Sequence, residues 1–148
     1  MPTYLLDTGI LIRHLRNRTG YHDLVQRLNQ TGDLYISAFT RVEVLRGMRE
    51  HERERTVALL DGFVTQVIDR ATADQAGEWI RAWQARGITL GGPDAVIAAS
   101  ALHSGAALVT TNARQFPMPE LTVLAVDEDG QMTSSRRDPV QVARKERG

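Results

Sequence analysis

The chain has 148 residues, one domain's worth on a rough prior of about 150 per domain. Its 42% hydrophobic and 24% charged content is that of a globular fold, and eighteen Lys+Arg balance eighteen Asp+Glu, which excludes a polycation that grips nucleic acid by bulk charge alone. The absence of cysteine excludes a disulfide scaffold, an iron–sulfur cluster, a thiolate zinc site and a cysteine nucleophile.

No apolar run approaches the ~18–20 residues that cross a bilayer. The N-terminus lacks a basic leader and carries Asp7 inside its apolar stretch, so the expectation is a cytoplasmic protein with no membrane association. Residues 3–6 are β-prone and stop at Asp7-Thr8, a helix-start signature, with a helix through Ile10, Leu11, Ile12 and Leu15. A second helix fits 22–30, with Leu24, Val25 and Leu28 on one face and Thr31-Gly32 ending it. Leu34-Tyr35-Ile36 reads as a strand, and Ser37 or Thr40 caps a helix that carries Glu43 among Val42, Val44, Leu45 and Met48.

Residues 50–55, Glu-His-Glu-Arg-Glu-Arg, read as a solvated helix face. Leu59, Leu60 and Phe63 return to the core, and 64–68 is a short strand. Residues 72–86 form an amphipathic helix with Ala76, Trp79, Ile80 and Trp83 at helical spacing, a candidate dimer surface. Gly91-Gly92-Pro93 then breaks the chain before a helix rich in small residues that begins at Asp94. Residues 107–110 and 121–126 are the last two strands. Strands alternating with helices predict an α/β fold, a three-layer α/β/α sandwich on a mainly parallel sheet, over residues 1–128. From 129 to 148 the apolar periodicity fades, which predicts a basic, disordered tail.

Three acids stand in telling places. In an open parallel sheet, ligands sit beyond the carboxyl ends of the strands. Asp7 follows the first strand, Glu43 lies one turn into the helix after the second, and Asp94 opens a helix after a Gly-Gly-Pro break. Converging carboxylates repel one another, and such a set suits a hard cation such as Mg²⁺, which takes oxygen ligands and keeps waters. Each acid alone has a plainer role: Asp7 as a helix cap, Asp94 as a partner of the helix dipole. Thr110, Thr111 and Asn112 end a strand at the same rim, where Thr110 and Asn112, like Thr8, are positioned to orient a phosphate or a carboxylate.

Competing chemistries lack their residues. The histidines (His14, His22, His51, His103) are not at strand ends and read as surface or helix-face groups. A haloacid-dehalogenase-like site would need an acid where Gly9 stands, and a receiver domain would need a lysine near the acids, whereas Lys145 is the sole lysine. No GxGxxG follows the first strand.

The run Leu-Leu-Asp7-Thr8, then Ser37-x-x-Thr40-x-x-Glu43-x-x-Arg46-Gly47, then Asp94-Ala-Val-Ile-Ala-Ala-Ser-Ala-Leu, then Leu108-Val-Thr-Thr-Asn112-x-x-x-Phe116 resembles a PIN domain, and within that family the VapC-type toxins of VapBC toxin–antitoxin systems. The resemblance spans about residues 4 to 126. It implies an Mg²⁺- or Mn²⁺-dependent ribonuclease, homodimeric and silenced by a cognate antitoxin, with Asp7, Glu43 and Asp94 as catalytic, metal-binding acids. Family members carry a fourth acid where this chain has Gln115, which can orient water but adds no charge. That departure leaves open an alternative, a PIN-fold module that binds RNA or protein with weakened catalysis. Arg13, Arg46 and their neighbours Arg16, Arg18, Arg41 and Arg49 are candidates to hold RNA phosphates.

The zero net charge is itself divided. Residues 131–148 carry a local excess of three positive charges and residues 1–130 an excess of three negative ones.

Overall fold

The computed structural model describes residues 1–136. Its elements run β1 (Thr3–Leu6), α1 (Thr8–Leu15), α2 (Tyr21–Thr31), β2 (Asp33–Ser37), α3 (Ala38–Gly47), a 3-10 turn (Glu50–Glu52), α4 (Arg53–Asp61), β3 (Val64–Gln66), α5 (Arg70–Gln84), α6 (Gly92–Ser104), β4 (Ala107–Thr110), a second 3-10 turn (Ala113–Gln115), β5 (Val123–Val126) and β6 (Met132–Arg136). The sheet order is β3-β2-β1-β4-β5-β6. The first five strands are parallel, and β6 closes the edge antiparallel to β5. The three-layer α/β/α sandwich on a mainly parallel sheet is therefore present.

Pleating divides the apolar residues between two cores, because successive side chains of a strand point to opposite faces. Leu5 and Leu108 join the core beneath α5 and α6, whereas their neighbours Leu6 and Val109 join the core beneath α1 and α2. On the first face α6 lies close to the sheet because its inward residues are small: Ala95, Ala98, Ala99 and Ala101 are fully buried. Trp79 and Trp83 of α5 are buried against this layer. They belong to the protein's own core, which removes the predicted dimer surface on the aromatic helix.

The expected boundary at 128 also shifts. Met132–Arg136 forms a strand that pairs with β5 from Val123↔Arg136 to Val126↔Met132. All five of its residues are exposed, so it is stabilised by backbone pairing and shows no apolar alternation. Arg136 adds hydrogen bonds from its guanidinium to the carbonyls of Phe116 and Met118. The rest of the predicted tail, 137–148, lies outside the described residues.

The topology positions the site. From β1 the chain moves outward to β2 and β3, then returns to the other side of β1 to lay down β4 and β5. The order reverses between β1 and β4, so the crevice beyond their carboxyl ends is a topological switch point, the place where open α/β sheets bind ligands. Asp7 directly follows β1 and Thr110 ends β4.

Candidate active site

Asp7 is 7% exposed, and both its carboxylate oxygens are held. Oδ1 accepts the Thr8 backbone N–H at 2.9 Å, which caps α1, and Oδ2 accepts the Thr110 hydroxyl at 2.7 Å. Thr110 Oγ1 in turn accepts the Asn112 backbone N–H at 3.0 Å. A chain of donors thus runs from the loop after β4 to the Asp7 carboxylate and fixes its rotamer.

A second relay fixes Glu43. Thr8 Oγ1 donates to Glu43 Oε1 at 2.7 Å and lies 3.0 Å from Thr40 Oγ1. A hydroxyl has one proton. Since Thr8 gives its own to Glu43, Thr40 must donate to Thr8. Thr40 is fully buried and sits one turn before Glu43 on α3.

The helices that carry the acids are tied together under the site. Ser37 Oγ caps α3 by accepting the Phe39 N–H at 3.2 Å, and it lies 2.9 Å from Ser100 Oγ on α6. Ser100 spends its proton on the Val96 carbonyl, so Ser37 is the donor of that pair. Asp94 stands in the first turn of α6, after Pro93. Buried Ser37 and Ser100 therefore set the position of the Asp94 helix against the Glu43 helix.

The three carboxylates act on one another. Burial pushes the Asp7 carboxyl above the usual carboxylate range; its hydrogen bonds from Thr110 and Thr8 oppose this, and the charges of Asp94 and Glu43 add to it. Burial also raises Asp94, with the Glu43 charge reinforcing the shift. Among the described residues no group of three or more Asp, Glu or His side chains is gathered closely enough to hold a metal ion on its own.

A PIN-domain family model matches residues 4–120. The chain belongs to the PIN-domain family. Relatives to which it is similar carry the VapC name. It is 34% identical over 116 residues to Ribonuclease VapC10 of Mycobacterium tuberculosis, covering 78% of this chain and 87% of that protein. It is 35% identical over 122 residues to the tRNA(fMet)-specific endonuclease VapC of Shigella flexneri, covering 78% and 91%. Among solved structures, a toxin–antitoxin complex from Klebsiella pneumoniae is similar at 27% identity and a TM-score of 0.67, covering 77% of this chain and 90% of that one.

In this PIN domain Asp7, Glu43 and Asp94 are within electrostatic reach of one another, and Thr8 and Thr110 touch them directly. Asn112 reaches the network through its backbone N–H. Asn112 and Gln115 have exposed side chains, and Gln115 lies in the 3-10 turn, apart from the hydroxyl relays. Arg13 donates from Nη1 to the Gly9 carbonyl at 3.3 Å and holds its guanidinium 6.0 Å from the Tyr21 ring centroid. Arg46 is exposed in the last turn of the helix that carries Glu43. Arg41 is engaged elsewhere, paired with Asp61 at 3.0 Å. His14 is stacked on His22 with centroids 4.0 Å apart, away from the acids.

Thr40, Ser37 and Ser100 are the supporting residues to which sequence reasoning gave no role at the site. The spacing Ser37-x-x-Thr40-x-x-Glu43 places Ser37 and Thr40 one turn apart at the start of α3, and that periodicity was the available signal for these two; Ser100, on α6, had none.

Proposed function

We propose that this PIN domain is a divalent-metal-dependent ribonuclease that hydrolyses RNA phosphodiester bonds and serves as the toxin of a toxin–antitoxin pair. The observation that carries the reading is the buried Asp7 at the β1–β4 crevice, fixed by Thr8 and Thr110 and crowded by Asp94 and Glu43, in a chain whose relatives are named ribonucleases.

The donor set fits Mg²⁺ or Mn²⁺. It offers carboxylate oxygens and hydroxyls without sulfur, and Asp7 and Asp94 are both raised, by burial first and by their neighbours' charges second, a condition that a nearby cation relieves. Mg²⁺ keeps several waters and shares its coordination with substrate phosphate, so it does not require the acids to close around it by themselves. Asp7, Asp94 and Glu43 would hold it, and when bound it supplies charge neutralisation at the scissile phosphate and a lowered pKa for water.

The protein's own contribution is preorganisation. Thr110 and the Thr8 N–H keep Asp7 in one rotamer, and Thr8, backed by Thr40, presents one oxygen of Glu43. These bonds exist before substrate arrives, so little reorganisation remains for the chemical step. Arg13 and Arg46 contact the RNA beside the cleavage site. Hydrolysis by water leaves a 5′-phosphate on the downstream product. The reaction takes place in the cytoplasm, a cognate antitoxin holds the enzyme silent, and the active form is a homodimer.

The test is cleavage of single-stranded RNA by wild type, Asp7→Asn and Asp94→Asn in Mn²⁺ and in EDTA, with product ends mapped. Each variant is expected to lose about 10³-fold in kcat, on the order of 4 kcal/mol, and EDTA is expected to abolish the wild-type reaction. Undiminished cleavage by either variant, or activity that survives chelation, would overturn the assignment.

A further inference from the structure

Beside the acidic rim lies a second cavity, of about 390 Å³, between α1 and the turn that joins β5 to β6. Its walls carry opposite charges. Arg13, Arg16 and Arg18 come from α1 and the residues just after it, Glu128 and Asp129 from the turn, and Ile12 adds an aliphatic patch. Among the described residues no ion pair joins the two walls.

The acidic wall is rigidly built. Asp127 closes the turn on itself, its Oδ1 accepting the N–H groups of Asp129 and Gln131, both at 2.9 Å. The Tyr21 hydroxyl donates to the Asp127 carbonyl at 2.7 Å, and Arg27 donates to the Gly130 carbonyl at 3.4 Å. Gly20 and Gly130, both at positive φ, let the two backbones meet: a Cβ on Gly20 would collide with the Asp129 carbonyl, and one on Gly130 would lie 2.6 Å from the Gly20 carbonyl oxygen. The Glu128 and Asp129 side chains nevertheless remain exposed.

The cavity neighbours a hollow that Glu43 lines. Ile12 and Arg16 also line a smaller hollow of about 80 Å³ that includes Glu43. Ile12 and Arg16 follow Thr8 by one and two steps of four residues along α1, about 6 Å per step. One short stretch of RNA can touch both places.

Two facing walls of opposite sign call for a ligand with acceptors on one side and donors on the other. A bare phosphate meets repulsion from Glu128 and Asp129, and a basic side chain meets it from the arginines. A nucleobase is neutral and carries both kinds of group, and its size suits the cavity. Guanine fits best. Its O6 and N7 accept the two parallel donors of an arginine fork, and its N1–H and N2 amine are donors that two carboxylate oxygens can accept. Unpaired bases in single-stranded RNA are read on these edges and stack on guanidinium planes.

We propose that the cavity formed by Arg13, Arg16 and Arg18 facing Glu128 and Asp129 is a guanine-recognition subsite that sets where the RNA is cut. It rests on the ribonuclease reading for its consequence and on the cavity alone for its binding.

The test uses single-stranded oligouridylates that carry one guanosine, adenosine or inosine at the same position; inosine lacks only the N2 amine. Wild type is expected to cut at a fixed distance from guanosine, with kcat/KM lower by about tenfold or more on the adenosine strand and by several-fold on the inosine strand. In a Glu128→Gln, Asp129→Asn variant, with unchanged Tm, the inosine penalty is expected to disappear. Equal cleavage of all three strands by wild type, or an inosine penalty that persists in the variant, refutes the subsite. If no strand is cut, the ribonuclease reading falls separately. Fluorescence anisotropy on the same labelled strands then decides: tighter binding of the guanosine strand that the variant loses sustains the subsite, and equal binding refutes it.

Discussion

The two helical layers that flank the sheet solve different problems with the same apolar raw material. On the α5–α6 side, small residues bring a helix close to the strands, and Trp79, Trp83, Phe116 and Met118 complete the packing around it. On the α1–α4 side the core is built from larger aliphatics such as Leu24, Leu28, Leu34 and Leu60, and the outer surface opens into arginine-lined cavities. The compact layer holds Asp94 in the first turn of α6, and the open layer offers cavities where RNA can be contacted. The lesson is a division of labour: precision comes from the closely packed side, access from the side that carries these cavities.

The strongest challenge to this contrast is to remove the closeness of the compact layer. Ala98→Leu on α6 inserts a branched side chain where nothing can yield, and overpacking of this kind costs about 1–3 kcal/mol. Leu59→Ala on α4, which is only half-buried at the edge of a cavity, is expected to cost less. Denaturant melts of the two variants check the order. A larger loss from Leu59→Ala would mean that the layers do not differ as described.

A smaller effect sharpens the role of the hydroxyl relays. Thr110→Val keeps the shape of the side chain and removes the bond to Asp7. Outer hydrogen bonds of this type are worth about 10–100-fold in activity or metal affinity. The expectation is a fall in kcat and in Mn²⁺ affinity by calorimetry, with Thr110→Ser recovering most of both. A Thr110→Val enzyme with wild-type values in both would reduce Thr110 to a packing residue.

The mildest effect concerns charge. Asp7 and Asp94 are raised in the folded protein, so the fold binds their protons more readily than the unfolded chain does. Their contribution favours folding at acid pH and is lost as pH climbs from the unfolded value through the folded one. In EDTA at neutral pH, Asp94→Asn is therefore expected to raise Tm. Asp94 is half-exposed and partly screened, so the rise is small, on the order of 2 °C. The gap between variant and wild type should close at acid pH, and adding Mn²⁺ should stabilise wild type more than the variant. Differential scanning calorimetry across pH measures both. A variant less stable than wild type at neutral pH in EDTA would show that Asp94 is not under repulsion.

Much of the molecule was legible because its signals are local. Asp7-Thr8 announces the end of a strand and the start of a helix within two residues, Ser37 caps α3 as its position suggests, and the small-residue run after Pro93 is recognisable as a helix made to lie close. Other features left no local signal. Met132–Arg136 is polar and exposed on both faces, so it has neither the alternation nor the apolar content by which a strand is recognised; its partner strand makes it one. The Trp79–Trp83 stripe reads the same whether it faces a second copy or the protein's own α6, and only packing chose the latter.

The sequence by itself determined the order of the elements as far as β5, and the three acids at the ends of those elements, because capping, periodicity and the rule of strand ends act over a few residues. Tertiary structure alone decided that Thr110 holds Asp7, that Thr8 serves Glu43, and that Glu128 and Asp129 face Arg16 and Arg18. These partners lie from 35 to more than a hundred residues apart. A hydrogen bond is sensitive to tenths of an ångström, and no local propensity carries positional information across such distances; only the assembled sheet does.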